Sequence, residues 1–139
     1  MSRENVDAVL RGNEAFNRGD DEGFASIAHP EVQWESGLIG TPTYHGREGI
    51  RQLMRDVRAA WIDMQAEIIG DPIDLGEWIV WECRLRAKGR MTGAAVEGSQ
   101  FFAVKFRDGQ VVQGGAFSTK AEALEAAGVS ELGARTDSS

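Results

Sequence analysis

Between Glu77 and Phe117 apolar and polar residues alternate with the two-residue period of extended strands. In the first run Ile79, Trp81, Cys83, Leu85 and Ala87 point one way, while Glu82, Arg84 and Arg86 point the other. In the second, Gly98 to Phe106, one face carries Gln100, Phe102, Val104 and Phe106. The third, Gln110 to Phe117, follows Arg107-Asp108-Gly109, and Asp-Gly between apolar runs signals a tight hairpin because a type I′ turn needs positive φ at both central residues. Three long antiparallel strands with one apolar face need a cover.

The remaining patterns supply one. Val6, Val9, Leu10, Ala15 and Phe16 recur at helical spacing, predicting an amphipathic helix over 4–18 that stops at Gly19, with Gly12 weakening it locally. Asp20 or Asp21 can cap a shorter helix carrying Phe24, Ile27 and Ala28, ended by His29-Pro30. Val32 to Ser36 reads as a strand, and the loop after it, with Gly37, Gly40, Pro42 and Tyr44, as a mouth or lid. From Gly46, the stripe Ile50, Leu53, Met54, Val57 and Trp61 defines the clearest helix, with Arg47, Glu48, Arg51, Arg55, Asp56 and Arg58 on its other side. Met64 to Ile69 is a strand that meets Gly70-Asp71-Pro72, which places it at an edge or a bulge. Thr119-Lys120-Ala121-Glu122 resembles a capping box opening a helix that Gly128 stops. The order α-α-β-α-β-β-β-β predicts an α+β domain with a mostly antiparallel sheet.

Composition narrows the function classes. At 139 residues the chain fits one domain, expected over 1–132, with a mobile tail over 133–139. Its formal charge of −7 is dispersed, without a basic tract for nucleic acid or an anionic membrane. The one cysteine, Cys83, has no disulfide partner and reads as a buried, inert thiol; no metal-ligand pair is apparent. Neither a signal peptide nor a membrane-spanning run is apparent, so a cytoplasmic location is expected.

Four short stretches together carry a family resemblance: Asn17-Arg18-Gly19-Asp20, His29-Pro30-Glu31-Val32-Gln33-Trp34, Tyr44-His45-Gly46-Arg47-Glu48-Gly49-Ile50 and Phe106-Arg107-Asp108-Gly109-Gln110-Val111-Val112. In order and spacing the chain resembles the SnoaL-like group of the nuclear-transport-factor-2-like superfamily, which includes ketosteroid isomerases and polyketide cyclases. The resemblance implies a cone-shaped α+β barrel in which helices and a curved sheet enclose a pocket open at one end. It implies much less about function, because this fold hosts several chemistries and proteins without catalysis.

Steroid isomerases of this superfamily use a carboxylate base on the first strand and an oxyanion hole of a tyrosine and a protonated aspartate. Matched without gaps through Gly19-Asp20 and His29-Pro30, the base position falls on Glu35, the tyrosine on Gly12 and the aspartate on Phe102. Neither oxyanion donor is present. Losing one costs on the order of 3 kcal/mol of transition-state stabilisation, so isomerisation of that type is not expected. Strand alternation turns Val32 and Trp34 inward and Glu35 outward, whereas the positional match makes Glu35 a pocket base. His45 sits where a helix starts and suits either a structural role or acid–base chemistry. Gln100 is the polar exception on an apolar face and needs a partner in backbone, water or ligand. Trp34, Tyr44, Trp61, Trp81 and Phe102 would complete the pocket wall.

Two functions follow. One is an enzyme without metal or organic cofactor, isomerising, cyclising or dehydrating an apolar small molecule with Glu35 as base and His45 and Gln100 as hydrogen-bonding groups. The other is a non-catalytic ligand-binding or dimerisation module. The Asp-Arg-Asp arrangement of epoxide hydrolysis on this fold cannot be assembled, because Arg84 and Arg86 face outward. On the opposite sheet face Trp78, Val80, Phe101 and Ala103 stand among charges, which predicts a homodimer through that face.

Overall fold

The computed structural model describes residues 2–35 and 42–129. The elements run α1 (Ser2–Arg18), α2 (Asp21–Ser26), β1 (Ala28–Glu35), β2 (Thr43–His45), α3 (Gly46–Ala60), β3 (Trp61–Asp74), β4 (Trp78–Gly89), β5 (Ala95–Arg107), β6 (Gln110–Phe117) and α4 (Lys120–Ala126). Most of the expected mouth loop and the whole expected tail lie outside the described residues.

All six strands form one curved sheet in the order β2-β1-β6-β5-β4-β3. It does not close on itself: β2 and β3 are its edges, and helices complete the wall. Neighbours pair antiparallel except β1 with β6, which run parallel and join the two ends of the chain in the middle of the sheet. Asp108 and Gly109 both take positive φ, 54° and 79°, as the tight β5–β6 turn requires. β3 is an edge strand, and it continues through Gly70-Asp71-Pro72 by shifting its register against β4 between Ile69 and Ile73. A bulge lets the chain carry a proline without losing the pairing on either side.

The helices dock through specific contacts. Gly12 lies in α1 where a Cβ would sit 2.5 Å from Ile27 Cδ1, so the glycine permits α1 to approach the end of α2 closely. α2 opens on Asp20, whose Oδ1 accepts from the Gly23 N–H at 2.9 Å. Arg58 donates twice to the Asp21 carboxylate and Arg51 twice to Glu22, tying α3 to α2; these arginines hold both carboxyls below their usual range. The main core, with Val9, Val32, Ile50, Ile79, Val104 and Phe106, lies between α1, α3 and the concave sheet face.

The convex face carries a helix of the chain's own. Thr119 and Glu122 cap α4 reciprocally, and the helix lays Ala123, Leu124 and Ala127 over Val80 and Ala103, both 0% exposed. Trp78 and Phe101 pack against the same cluster. Within the patch expected to meet a dimer partner, Val80 and Ala103 are thus covered by the chain's own helix, while Trp78 and Phe101 remain half-buried.

Candidate functional site

A cavity of about 750 Å³ lies between the helices and the concave sheet face. Strand alternation builds its floor. β4 and β5 pair Trp81 with Phe102, Cys83 with Gln100, Leu85 with Gly98 and Ala87 with Val96, and all eight line the cavity. Trp81 stacks on Phe102 with ring centroids 5.4 Å apart, and Trp34 leans on the same phenyl ring at 6.3 Å. From the helices come Val9, Asn13 and Phe16 of α1 and Leu53, Asp56 and Val57 of α3.

Six of the residues singled out in the sequence meet here: Trp34, Tyr44, Trp61, Trp81, Gln100 and Phe102. Gln100 is half-buried, and its amide has no hydrogen-bond partner among the described residues. Glu35 and His45 are placed elsewhere. Glu35 is exposed at the end of β1, where its Oε2 accepts from Gln33 Nε2 at 2.8 Å, and it is not among the lining residues. His45 is exposed at the N-cap of α3 and makes no capping hydrogen bond with its side chain.

The polar feature that sequence reading missed is Asp56. Placed on the polar side of α3, it is indeed exposed, yet it also lines the rim of the cavity, and both its oxygens are engaged. The Tyr44 hydroxyl donates to Oδ2 at 2.5 Å and Gln52 Nε2 donates to Oδ1 at 2.8 Å. The three-residue β2 sets this up: pairing Tyr44 with Trp34 holds the ring against β1, with its hydroxyl reaching α3. Hydrogen bonds from Tyr44 and then Gln52 hold the Asp56 carboxyl below its usual range, so it is ionised at neutral pH. Burial, and then the hydrogen bond to Asp56, push the Tyr44 phenol up to about 12.

Tyr44 is the only tyrosine in the chain, so an ultraviolet titration of tyrosinate reports this hydroxyl alone. The absorbance midpoint is expected near pH 12, and Asp56→Asn is expected to move it part of the way back towards 10, since burial remains. A midpoint at 10 in the parent protein would contradict the burial of Tyr44 and its bond to Asp56. The native state holds this proton more tightly than the unfolded chain does, so stability is full below pH 10 and declines as pH rises from about 10 towards 12.

A second polar spot is chemically quiet. Burial pushes the Cys83 thiol up to about 11, with the neighbouring Trp81 indole N–H acting in the opposite sense. The thiol donates to Asn13 Oδ1 at 3.8 Å, and Asn13 Nδ2 donates to the Ala66 carbonyl at 3.0 Å. Trp81 Nε1 is buried without a hydrogen bond, and sulfur is only a weak acceptor for it. Among the described residues no three His, Cys, Asp or Glu side chains come together as a metal site, and no helix is long and apolar enough to cross a membrane.

A helix-backed curved sheet folded around an apolar cavity is the architecture of the nuclear-transport-factor-2-like class. Within it the chain belongs to the SnoaL-like domain family, whose model matches residues 9–114. Among solved structures it is similar to an NTF2-like protein of unknown function from Burkholderia pseudomallei K96243, at 23% identity and a TM-score of 0.76, covering 88% of this chain and 95% of that one. TerC, co-crystallised with polyporic acid, matches at 22% identity and 0.74, over 88% and 96% of the two chains. A provisionally assigned polyketide cyclase from Xanthomonas campestris pv. campestris matches at 19% and 0.73, over 86% and 93%. These likenesses establish the fold. No protein with a curated description matches the sequence significantly.

Proposed function

We propose that the protein binds an apolar small molecule in the cavity between its helices and sheet, with Tyr44 and Asp56 as the polar recognition centre. The observation that carries this reading is the cavity itself: a space of about 750 Å³, walled by Trp34, Trp61, Trp81 and Phe102, with a few convergent polar groups. The crystallisation of TerC with polyporic acid lends support by analogy of fold alone.

A catalytic reading, in which the cavity hosts isomerisation, cyclisation or dehydration without a cofactor, draws its support from Asp56 rather than from Glu35 or His45. Asp56 lines the cavity beside a tyrosine hydroxyl, within reach of a bound ligand, and the other two side chains stand outside the lining. Its lowered basicity suits binding better than proton abstraction, so ligand recognition is the primary reading.

Titration with the uncharged dye Nile red tests it. Saturable fluorescence enhancement is expected, and Gln100→Trp, which fills the floor beside Cys83 and Phe102, is expected to weaken the dye at least about tenfold. Non-saturating binding, or an affinity unmoved by Gln100→Trp in a folded variant, would contradict the proposal.

A further inference from the structure

The polar end of the cavity offers an unbalanced set of groups. Tyr44 has one hydroxyl proton and spends it on Asp56, so towards a ligand its oxygen can only accept. Asp56 is ionised and accepts from Tyr44 and Gln52, leaving about two of its roughly four lone-pair sites open. Both donors to this carboxylate are neutral, and among the described residues Asp56 has no ion-pair partner. The nearest guanidinium, Arg55, is turned to Glu48 Oε2 at 2.7 Å and Gln52 Oε1 at 2.8 Å on the outer side of α3.

Charge in the rest of the lining does not restore the balance. No Lys, Arg or His is among the described lining residues. The other acidic one, Glu97 at the β5 rim, is paired with Arg84 at 3.3 Å and Arg86 at 3.8 Å, both on the outer sheet face. Asp56 is therefore the one carboxylate of the lining without an ion pair among the described residues; it is exposed at the rim of the apolar space, and Arg55 acts on it only through its field. The aromatic walls act in the same direction, because the faces of indole and phenyl rings are electronegative. At this rim, acceptors and a carboxylate without an ion pair, next to aromatic walls, complement an apolar cation. The Gln100 amide and Trp81 Nε1, donors of the lining without a partner among the described residues, belong to the sheet floor.

We infer that the ligand of this cavity is an apolar, ring-bearing amine, bound as its ammonium form, with the charged nitrogen at the Tyr44–Asp56 pair and the hydrocarbon body against Trp34, Trp61, Trp81 and Phe102. The inference rests on the cavity being a binding site and adds the class of molecule it takes. Carboxylates and phosphates of the same size are disfavoured at this pair, since they would set a second anion against Asp56. Neutral alcohols lose the charge-assisted part of the contact.

Three molecules of one shape separate the possibilities: 1-naphthylmethylamine, 1-naphthalenemethanol and 1-naphthoic acid, titrated calorimetrically at pH 7 and low salt against the parent protein and Asp56→Asn. The amine is expected to bind at least about tenfold more tightly than the alcohol, and the acid more weakly than either. In Asp56→Asn the amine is expected to lose most of this margin, ending within about threefold of the alcohol. Equal affinities for amine and alcohol in the parent protein, or a preference that survives Asp56→Asn, would overturn the inference while leaving the binding cavity standing. Failure of all three to bind would overturn the cavity reading and this inference together. Should Asp56→Asn fail to fold, salt serves in its place. Raising ionic strength in the parent protein should weaken the amine selectively, and an amine affinity as salt-insensitive as the alcohol's would count against the inference.

Discussion

Ile79→Ala is expected to lower the unfolding free energy by about 2–5 kcal/mol. Ile79 is 0% exposed, and β3 and β5 flank it with Asp74 and Val104 as its backbone neighbours. It belongs to the main core beneath α1 and α3 and does not itself line the cavity, so its truncation removes packing from the layer that backs the cavity wall. Domains of this size are stable by only about 5–15 kcal/mol, so the variant should show a large drop in urea midpoint at unchanged m-value. Ile79→Val, which removes one methyl, should cost about 0.5–1.5 kcal/mol. A loss below about 1 kcal/mol for Ile79→Ala would mean that this layer is looser than its burial implies.

Asn17→Ala should cost about 1–3 kcal/mol and act on one place in the sheet. β3 is an edge strand, and at Ala66, 7% exposed, its backbone is completed by side chains of α1 instead of by another strand. The Ala66 N–H donates to Asn17 Oδ1 at 2.8 Å, and Asn17 Nδ2 donates back to the Ala66 carbonyl at 2.9 Å, which Asn13 also reaches. Removing Asn17 leaves that carbonyl with Asn13 but strips the N–H of its acceptor. Hydrogen exchange should therefore quicken most at the Ala66 amide. Asn17→Asp keeps the acceptor but sets a carboxylate against the carbonyl, so it should protect the Ala66 amide better than alanine does. Uniform acceleration across β3 would indicate loss of packing rather than of this bond. The docking matters to the site because α1 supplies Asn13 and Phe16 to the cavity wall.

Elements with a long, regular pattern were legible from the amino-acid order. The alternation through Trp81, Cys83 and Leu85 marked β4, Asp108-Gly109 marked the β5–β6 turn, and Thr119 with Glu122 marked the start of α4. Short or long-range features were not. β2 has three residues, too few for a period, and its pairing with β1 is what brings Tyr44 to the cavity. Parallel pairing of β1 with β6 joins segments about eighty residues apart, which no local pattern encodes. The role of α4 was hidden because its own burial comes from two alanines and one leucine, so the aromatics it helps to cover read as an exposed patch.

Asp56 shows how a binding group escapes a helical pattern. Sorting α3 by polarity places every charge on one side, yet Asp56 follows Leu53 by three residues and so borders the apolar stripe rather than opposing it. That spacing, with the chain's single tyrosine lying just ahead of the helix, was the available signal. Glu35 illustrates the reverse: a position match gives residue type and place in the chain, while the alternation of Val32 and Trp34 decides which way the side chain faces.

The four tryptophans make the central claim directly measurable, since Trp34, Trp61 and Trp81 line the cavity and Trp78 packs on the convex face beneath α4. The measurement is a proton–nitrogen correlation spectrum of the indole N–H signals during titration with 1-naphthalenemethanol, a neutral ligand that tests occupancy independently of charge. Occupied as described, the protein should show saturable shifts at Trp34, Trp61 and Trp81, with Trp78 nearly unmoved. Shifts confined to Trp78, or no saturable change at any of the four, would contradict a ligand-binding cavity.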